Sequence, residues 1–230
     1  METSIIQKIK RSAGKLIETQ FLKTGSVLDV RRWEISGMVE IDLHLPAANM
    51  DEWDQVPYIK FQVDGFSFRD YTPFAWDAET STCSILIDTN HNGQGSRWAN
   101  ALQTHDAVRY MKADSTRQSP HPTDFIVGLG DASALGHLLA LQQLTVPKSR
   151  FDAAVILDDP MAGSLQNEYF NSPIHIHSSR HALSNWLKDQ GYCTTHTWFY
   201  LNGNQQMVIE VRRLLKSLGH NNIRVKGFWS

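Results

Sequence analysis

Residues 125–136, FIVGLGDASALG, decide how this chain folds. Phe125-Ile126-Val127 is a short apolar run ending in Gly128, and helical character follows from Ser133 to Leu144. A strand that runs through a glycine-bearing turn into a helix is the opening of a βα unit, the context a nucleotide-binding loop requires. The full GxGxxG fingerprint would need glycine at 133, where this chain has serine, so the loop alone does not identify a ligand.

Downstream the same alternation continues. Ala153–Leu157, Ile174–His177, Thr197–Leu201 and Ile223–Lys226 read as strands, and His181–Gln190 and Gln206–Leu218 as helices. Strands alternating with helices predict a Rossmann-like α/β domain with a mostly parallel sheet over 119–230. Upstream the texture differs. Val39–Leu45, Tyr58–Val63, Cys83–Asp88 and Ala107–Met111 alternate or carry β-branched residues, and Asp64-Gly65, Thr72-Pro73 and Asn92-Gly93 separate them as turns. That spacing predicts an antiparallel β-barrel over 23–118. Between the two textures lies DSTRQSPHPTD, residues 114–124, the best linker candidate in the chain. Ahead of both, residues 1–22 place Ile5, Ile6, Ile9, Ala13, Leu16, Ile17 and Phe21 at helical steps, an amphipathic helix packed on the body of the protein.

Composition narrows the function classes. The chain has 230 residues, 41% hydrophobic and 20% charged, with a formal charge of -2. That is enough to bury a core without staples, and too little positive charge for a dedicated nucleic-acid binder. No apolar run approaches a membrane span, and the N-terminus lacks a secretory apolar region. The two cysteines, Cys83 and Cys193, match no zinc or redox spacing. A cytoplasmic, reducing location is the simplest expectation. His175, His177 and His181 cluster in sequence with no acidic residue among them, which argues against a metal site. Ser133 lacks the flanking glycines of a hydrolase nucleophile, because 131 is aspartate.

Two further motifs carry chemistry. Arg69-Asp70-Tyr71-Thr72-Pro73 ends a strand-like segment and sets a guanidinium, an aromatic ring and a hydroxyl close together. A guanidinium suits a phosphate oxygen, and the ring suits a flat heterocycle. Gly93-Gln94-Gly95-Ser96-Arg97-Trp98-Ala99 enters a helix, whose free N–H groups and dipole favour a phosphate. Read one at a time, the first also fits a surface turn, and the second a glycine turn with Ser96 as the N-cap.

Taken together and in this order, the motifs resemble the ferredoxin-reductase-like flavoenzymes, and within them the siderophore-interacting proteins, which are flavin-dependent ferric-siderophore reductases. Arg69-Asp70-Tyr71-Thr72 is similar to the Arg-x-Tyr-Ser/Thr flavin motif, and residues 93–99 to Gly-Pro-Ala-Ser-Arg-Trp-Ala. Gly130-Asp131-Ala132-Ser133-Ala134-Leu135 resembles Gly-Asp-Glu-Thr-Ala-Leu, and Gly227-Phe228-Trp229 a Gly-Tyr-Trp ending. The resemblance implies FAD as cofactor and NADPH or NADH as donor. Arg69, Gly93, Gly95 and Ser96 would hold the pyrophosphate. Tyr71 would flank the isoalloxazine, Thr72 would bond near its N5, and Trp229 would cover the flavin. Gly128, Gly130, Asp131 and Gly203 would face the nicotinamide. Ser179 and Arg180 would take the 2′-phosphate of NADPH, which is the favoured donor; Asp158 and Asp159 would suit the ribose of NADH instead. Lys112, Arg117 and Lys226, with Arg224, would form a basic rim for an anionic ferric siderophore.

The chain departs from the family pattern at three positions. Ala132 replaces an acidic residue, Asn204 a glutamate, and Asn202 the cysteine of plant-type reductases. Alternatives are a reductase that exchanges electrons with a ferredoxin, another protein or free flavin, and a flavin- or chelate-binding protein without turnover.

Overall fold

A computed structural model describes residues 22–33, 37–123, 125–146, 148–157, 169–170, 172 and 174–229. The amphipathic helix expected over 1–22 lies outside them except for Leu22, as do Asp158 and Asp159.

The first half is an antiparallel sheet. Its strands are β1 (Lys23–Trp33), β2 (Met38–His44), β3 (Pro57–Asp64), β4 (Ser67–Tyr71), β5 (Pro73–Asp77), β6 (Thr82–Asp88), β7 (Ala107–Tyr110) and β8 (Asp114–Ser115). They lie in the order β4-β3-β7-β1-β2-β6-β5, with β8 added beside β3. Strand β3 shows why: Ile59, Phe61 and Val63 alternate with residues that keep solvent contact, so one face must be covered. Val27, Ile41, Leu43, Ile59, Phe61, Ile85, Val108 and Tyr110 fill that face. Each fully buried side chain of this size contributes about 1.5–3 kcal/mol. Strands β4 and β5 stand at opposite ends of the order and are not paired with one another, so the barrel expected from sequence is an open half-barrel. One helix, α1 (Gln94–Ala101), follows β6 and packs against β3.

The second half is parallel. Strands β9 (Phe125–Asp131), β10 (Arg150–Ile156), β11 (Ile174–His177), β12 (Thr197–Asn204) and β13 (Ile223–Trp229) lie in the order β11-β10-β9-β12-β13. Helices α2 (Leu135–Thr145), α3 (Arg180–Asp189) and α4 (Gln205–Ser217) connect them. Strand order reverses between β9 and β12, the place where sheets of this kind bind ligands at the carboxyl ends of their strands.

Helix α2 joins the halves. Seven consecutive residues from Leu135 to Leu141 are buried, so the helix has no polar face along that stretch. It packs on β5 and β6 of the first sheet and on β9 and β10 of the second, and one apolar cluster contains Phe74 and Leu86 together with Leu138 and Tyr200. The segment 114–124 is not a free linker. Asp114 and Ser115 pair with β3, Thr116 and Gln118 exchange backbone bonds with Val56, and the Tyr200 hydroxyl donates to the Ser119 carbonyl at 2.7 Å. His121 stacks on Trp198 at 3.9 Å. Its prolines and small polar residues read as a flexible connection, but the chain lies as a strap across the junction.

Candidate functional site

The site begins where β4 meets α1. Tyr71 lies parallel to Trp98, with centroids 5.8 Å apart and planes within 8°, and both rings rest on Phe61. This explains Trp98, which sequence left beside a loop with no contact assigned. Burial pushes the Tyr71 hydroxyl up to about 12, so it is a neutral phenol at any physiological pH. A Cβ on Gly95 would fall 2.2 Å from that hydroxyl, so the ring requires glycine there.

Arg69 reaches the start of α1: its guanidinium donates to the Phe68 carbonyl at 2.7 Å and to the Gln94 side-chain carbonyl at 3.3 Å. The N-cap of α1 is Gly93, in extended conformation and with no side-chain cap. Ser96 is therefore not the cap. It is buried one turn inside, its hydroxyl turned toward the Asp88 carbonyl at 3.5 Å. An uncapped helix N-terminus with a guanidinium beside it presents free N–H groups and positive charge, a combination that suits an anion. A Cβ on Gly93 would meet nothing closer than 3.5 Å, so packing does not require glycine at this cap.

Thr72 carries this corner to the second sheet. Its carbonyl lies 3.5 Å from the Cβ position of Gly136, at the start of α2. Just before that helix, the Asp131 carboxylate accepts from the Ser133 N–H and hydroxyl and from the Asn204 N–H, at 3.0, 2.6 and 2.6 Å. The ends of β9 and β12 are thereby fastened together. Gly203 makes the contact possible: its φ is +114, and a Cβ would lie 2.6 Å from the carboxylate. Gly128 and Gly130 were expected in a nucleotide loop, but they sit inside β9. Their missing side chains admit Leu138 and Ala134, so packing explains both. The turn itself is Asp131–Ala134. Trp229, half exposed, donates its indole N–H to the Ser133 hydroxyl at 3.0 Å, which brings the chain's end onto this turn.

Beneath it lies a polar cluster with no local sequence signal beyond Asn202. The Gln118 side-chain carbonyl accepts from Asn202 at 3.0 Å and meets His137 Nε2 at 2.6 Å. All three are buried, and His137 Nδ1 and Asn202 Oδ1 have no partner. Burial, with Lys226 nearby, pushes the His137 imidazole down to about 3 and keeps it neutral.

The predicted rim is partly assembled. Lys226 Nζ stands 5.1 Å over the Tyr58 ring, whose hydroxyl donates to Asp114 at 3.0 Å. Asp114 is held below the usual carboxylate range by the Ser115 N–H and Tyr58, with smaller contributions from Arg117 and Lys112. Those three cations therefore share one neighbourhood with Asp114. Arg224, two residues before Lys226 on β13, lies over the Trp198 ring.

At the far edge of the parallel sheet, Ser179 caps α3 by accepting from the Ala182 N–H, and Arg180 pairs with Glu210 at 3.2 Å. The histidine cluster gains an acidic neighbour that sequence did not place: pairing of β10 with β11 sets Asp152 3.2 Å from His175. His175 and His177 pack on Trp186, and among the described residues no three ligating side chains converge. None of the described helices is long and apolar enough to cross a membrane.

A half-barrel joined to a five-stranded parallel sheet is the ferredoxin-reductase-like two-domain fold. No family profile and no curated protein sequence matches the chain. Solved structures do. A siderophore-interacting protein from Acinetobacter baumannii aligns with a TM-score of 0.70 at 14% identity over 90% of each chain. The siderophore-interacting protein of Aeromonas hydrophila gives 0.69 at 14% identity, over 90% of this chain and 91% of that one. A ferredoxin NADP+ reductase from Neisseria gonorrhoeae, solved with FAD and NADP, gives 0.71 at 14% identity, over 90% and 98%. At these identities the likeness is one of fold.

Proposed function

We propose that this chain is an FAD-dependent oxidoreductase of the siderophore-interacting type, taking hydride from a nicotinamide dinucleotide and passing electrons to a ferric siderophore. The observation that carries the reading is Arg69 at the uncapped start of α1, beside the Tyr71–Trp98 stack. The residues fit the cofactor. A diphosphate needs a cation and free backbone donors, and Arg69, Gly93 and Gly95 supply them. When bound, FAD supplies the redox chemistry, accepting a hydride and releasing single electrons.

The chain's own residues bind, orient and shield. Tyr71, neutral and wedged between Trp98 and Gly95, gives a flat heterocycle a fixed wall. Trp229, held on Ser133, stands where it can exclude water from the junction of the two sheets. Asp131 fixes the turn at the switch point: its carboxylate accepts from the Ser133 N–H and hydroxyl and from the Asn204 N–H, so it positions backbone. Lys112, Arg117 and Lys226 around Tyr58 suit an anionic chelate.

The test is direct. Purified protein is expected to be yellow, to bleach anaerobically with NADPH or NADH, and to recover colour with a ferric siderophore faster than with a ferredoxin. Arg69→Ala is expected to lose FAD while keeping its circular dichroism. Protein that takes up no FAD would refute the flavin reading. Faster recovery with a ferredoxin would replace the siderophore by a protein acceptor.

A further inference from the structure

We infer that Glu210 sets the choice of nicotinamide donor by holding Arg180 away from a 2′-phosphate; this rests on the dinucleotide reading above. In an open α/β sheet a dinucleotide lies across the carboxyl ends of the strands, with its ribose judged by an acidic residue or by an arginine that accepts the extra phosphate. Strand β11 ends at His177, and α3 begins at Arg180. Ser179 and Arg180 are both engaged within the protein. The Ser179 hydroxyl caps the helix by accepting from Ala182 at 3.2 Å. Arg180 Nη1 donates to both Glu210 carboxylate oxygens, at 3.2 and 3.3 Å.

Glu210 is itself fixed. It projects from α4, where Gln206, one turn earlier, donates to the same carboxylate at 3.0 Å. A 2′-phosphate approaching Arg180 therefore meets a neutralised guanidinium and a neighbouring negative charge. A ribose 2′-hydroxyl meets a carboxylate that can accept its proton in a hydrogen bond. Arg180 and Glu210 are 50% and 42% exposed, so the pair is screened by water and biases the choice rather than closing the site. An exposed pair of this kind shifts an equilibrium by up to about fivefold.

Adenosine 2′,5′-bisphosphate and 5′-AMP differ only in the 2′-phosphate, and titration calorimetry on the full chain reads their affinities without any turnover. Glu210→Gln is expected to raise the preference for the bisphosphate by up to about fivefold, and Arg180→Ala to lower it. If wild type binds both nucleotides and Glu210→Gln leaves their ratio unchanged, the assignment of Glu210 is overturned and the dinucleotide reading stands. If neither nucleotide binds wild type or variant, that reading fails and the assignment fails with it.

Discussion

Trp229 donates its indole N–H to the hydroxyl of Ser133, joining residues 96 positions apart at the turn between β9 and α2. Ser133 is the busier partner, because its hydroxyl also donates to Asp131 at 2.6 Å. Ser133→Ala removes both bonds at a partly buried position and is expected to cost about 1–3 kcal/mol. Trp229→Phe removes one bond at a half-exposed ring and should cost less than about 1 kcal/mol. Urea unfolding of the two variants checks the ranking; equal losses would mean that the indole bond carries the turn.

Gly95 and Gly93 belong to one motif but answer to different physics. A Cβ on Gly95 meets the Tyr71 hydroxyl at 2.2 Å, whereas one on Gly93 meets nothing within 3.5 Å. Gly95→Ala must push the Tyr71 ring off Trp98, at a cost of about 1–3 kcal/mol. Gly93→Ala changes only the helix cap and should cost about 1 kcal/mol or less. Thermal melts followed by near-ultraviolet circular dichroism report both, since the Tyr71–Trp98 pair contributes to that signal. An intact near-ultraviolet spectrum in Gly95→Ala would contradict the packing.

Gly203 and Asp131 are coupled. Alanine at 203 faces a left-handed φ of +114 and a carboxylate 2.6 Å away, and should cost about 2–4 kcal/mol. Asp131→Ala strands the Ser133 and Asn204 N–H groups and should cost about 2–3 kcal/mol. The double variant removes the clash along with its cause, so its loss is expected to fall short of the sum by about 1 kcal/mol. Additive losses in denaturant titrations would show that the two residues do not touch.

The sequence displayed what is local. Arg69, Tyr71 and the helix opening at Gly93 were readable because each is a short run with its own chemistry, and the structure places them at one corner. The strands β1 and β5 were not read as such, and β4 only as a strand-like segment ending in the Arg69 motif. Strand β4 stands at the sheet's end and shows no alternation of buried and exposed residues, so no period marks it. The glycines of β9 were legible as glycines but not as packing, because what they admit, Ala134 and Leu138, comes from the following turn and helix. Glu210 and Gln118 carried no signal. Their importance is set by partners brought in by the fold, Arg180 in one case and His137 and Asn202 in the other.

His137 gives the fold an acid-side weakness. Burial holds the imidazole at about 3, against 6.5 for the free side chain, with Lys226 acting in the same direction. The groups around it are the Gln118 carbonyl, the Phe228 ring and Lys226, none of which stabilises a proton on Nδ1. Above about pH 6.5 both folded and unfolded chains carry neutral histidine, and the group has no effect on the pH slope. As pH falls from 6.5 toward 3 only the unfolded chain takes the proton, so stability drops by up to about 1.4 kcal/mol per unit from this residue. His137→Leu removes the titration and the unpartnered Nδ1, and leaves the Gln118 carbonyl bonded to Asn202. Urea unfolding at pH 7 and pH 5 is expected to show the variant losing about 2 kcal/mol less than wild type between the two. Parallel losses would mean that His137 takes up its proton in the folded state near its ordinary value.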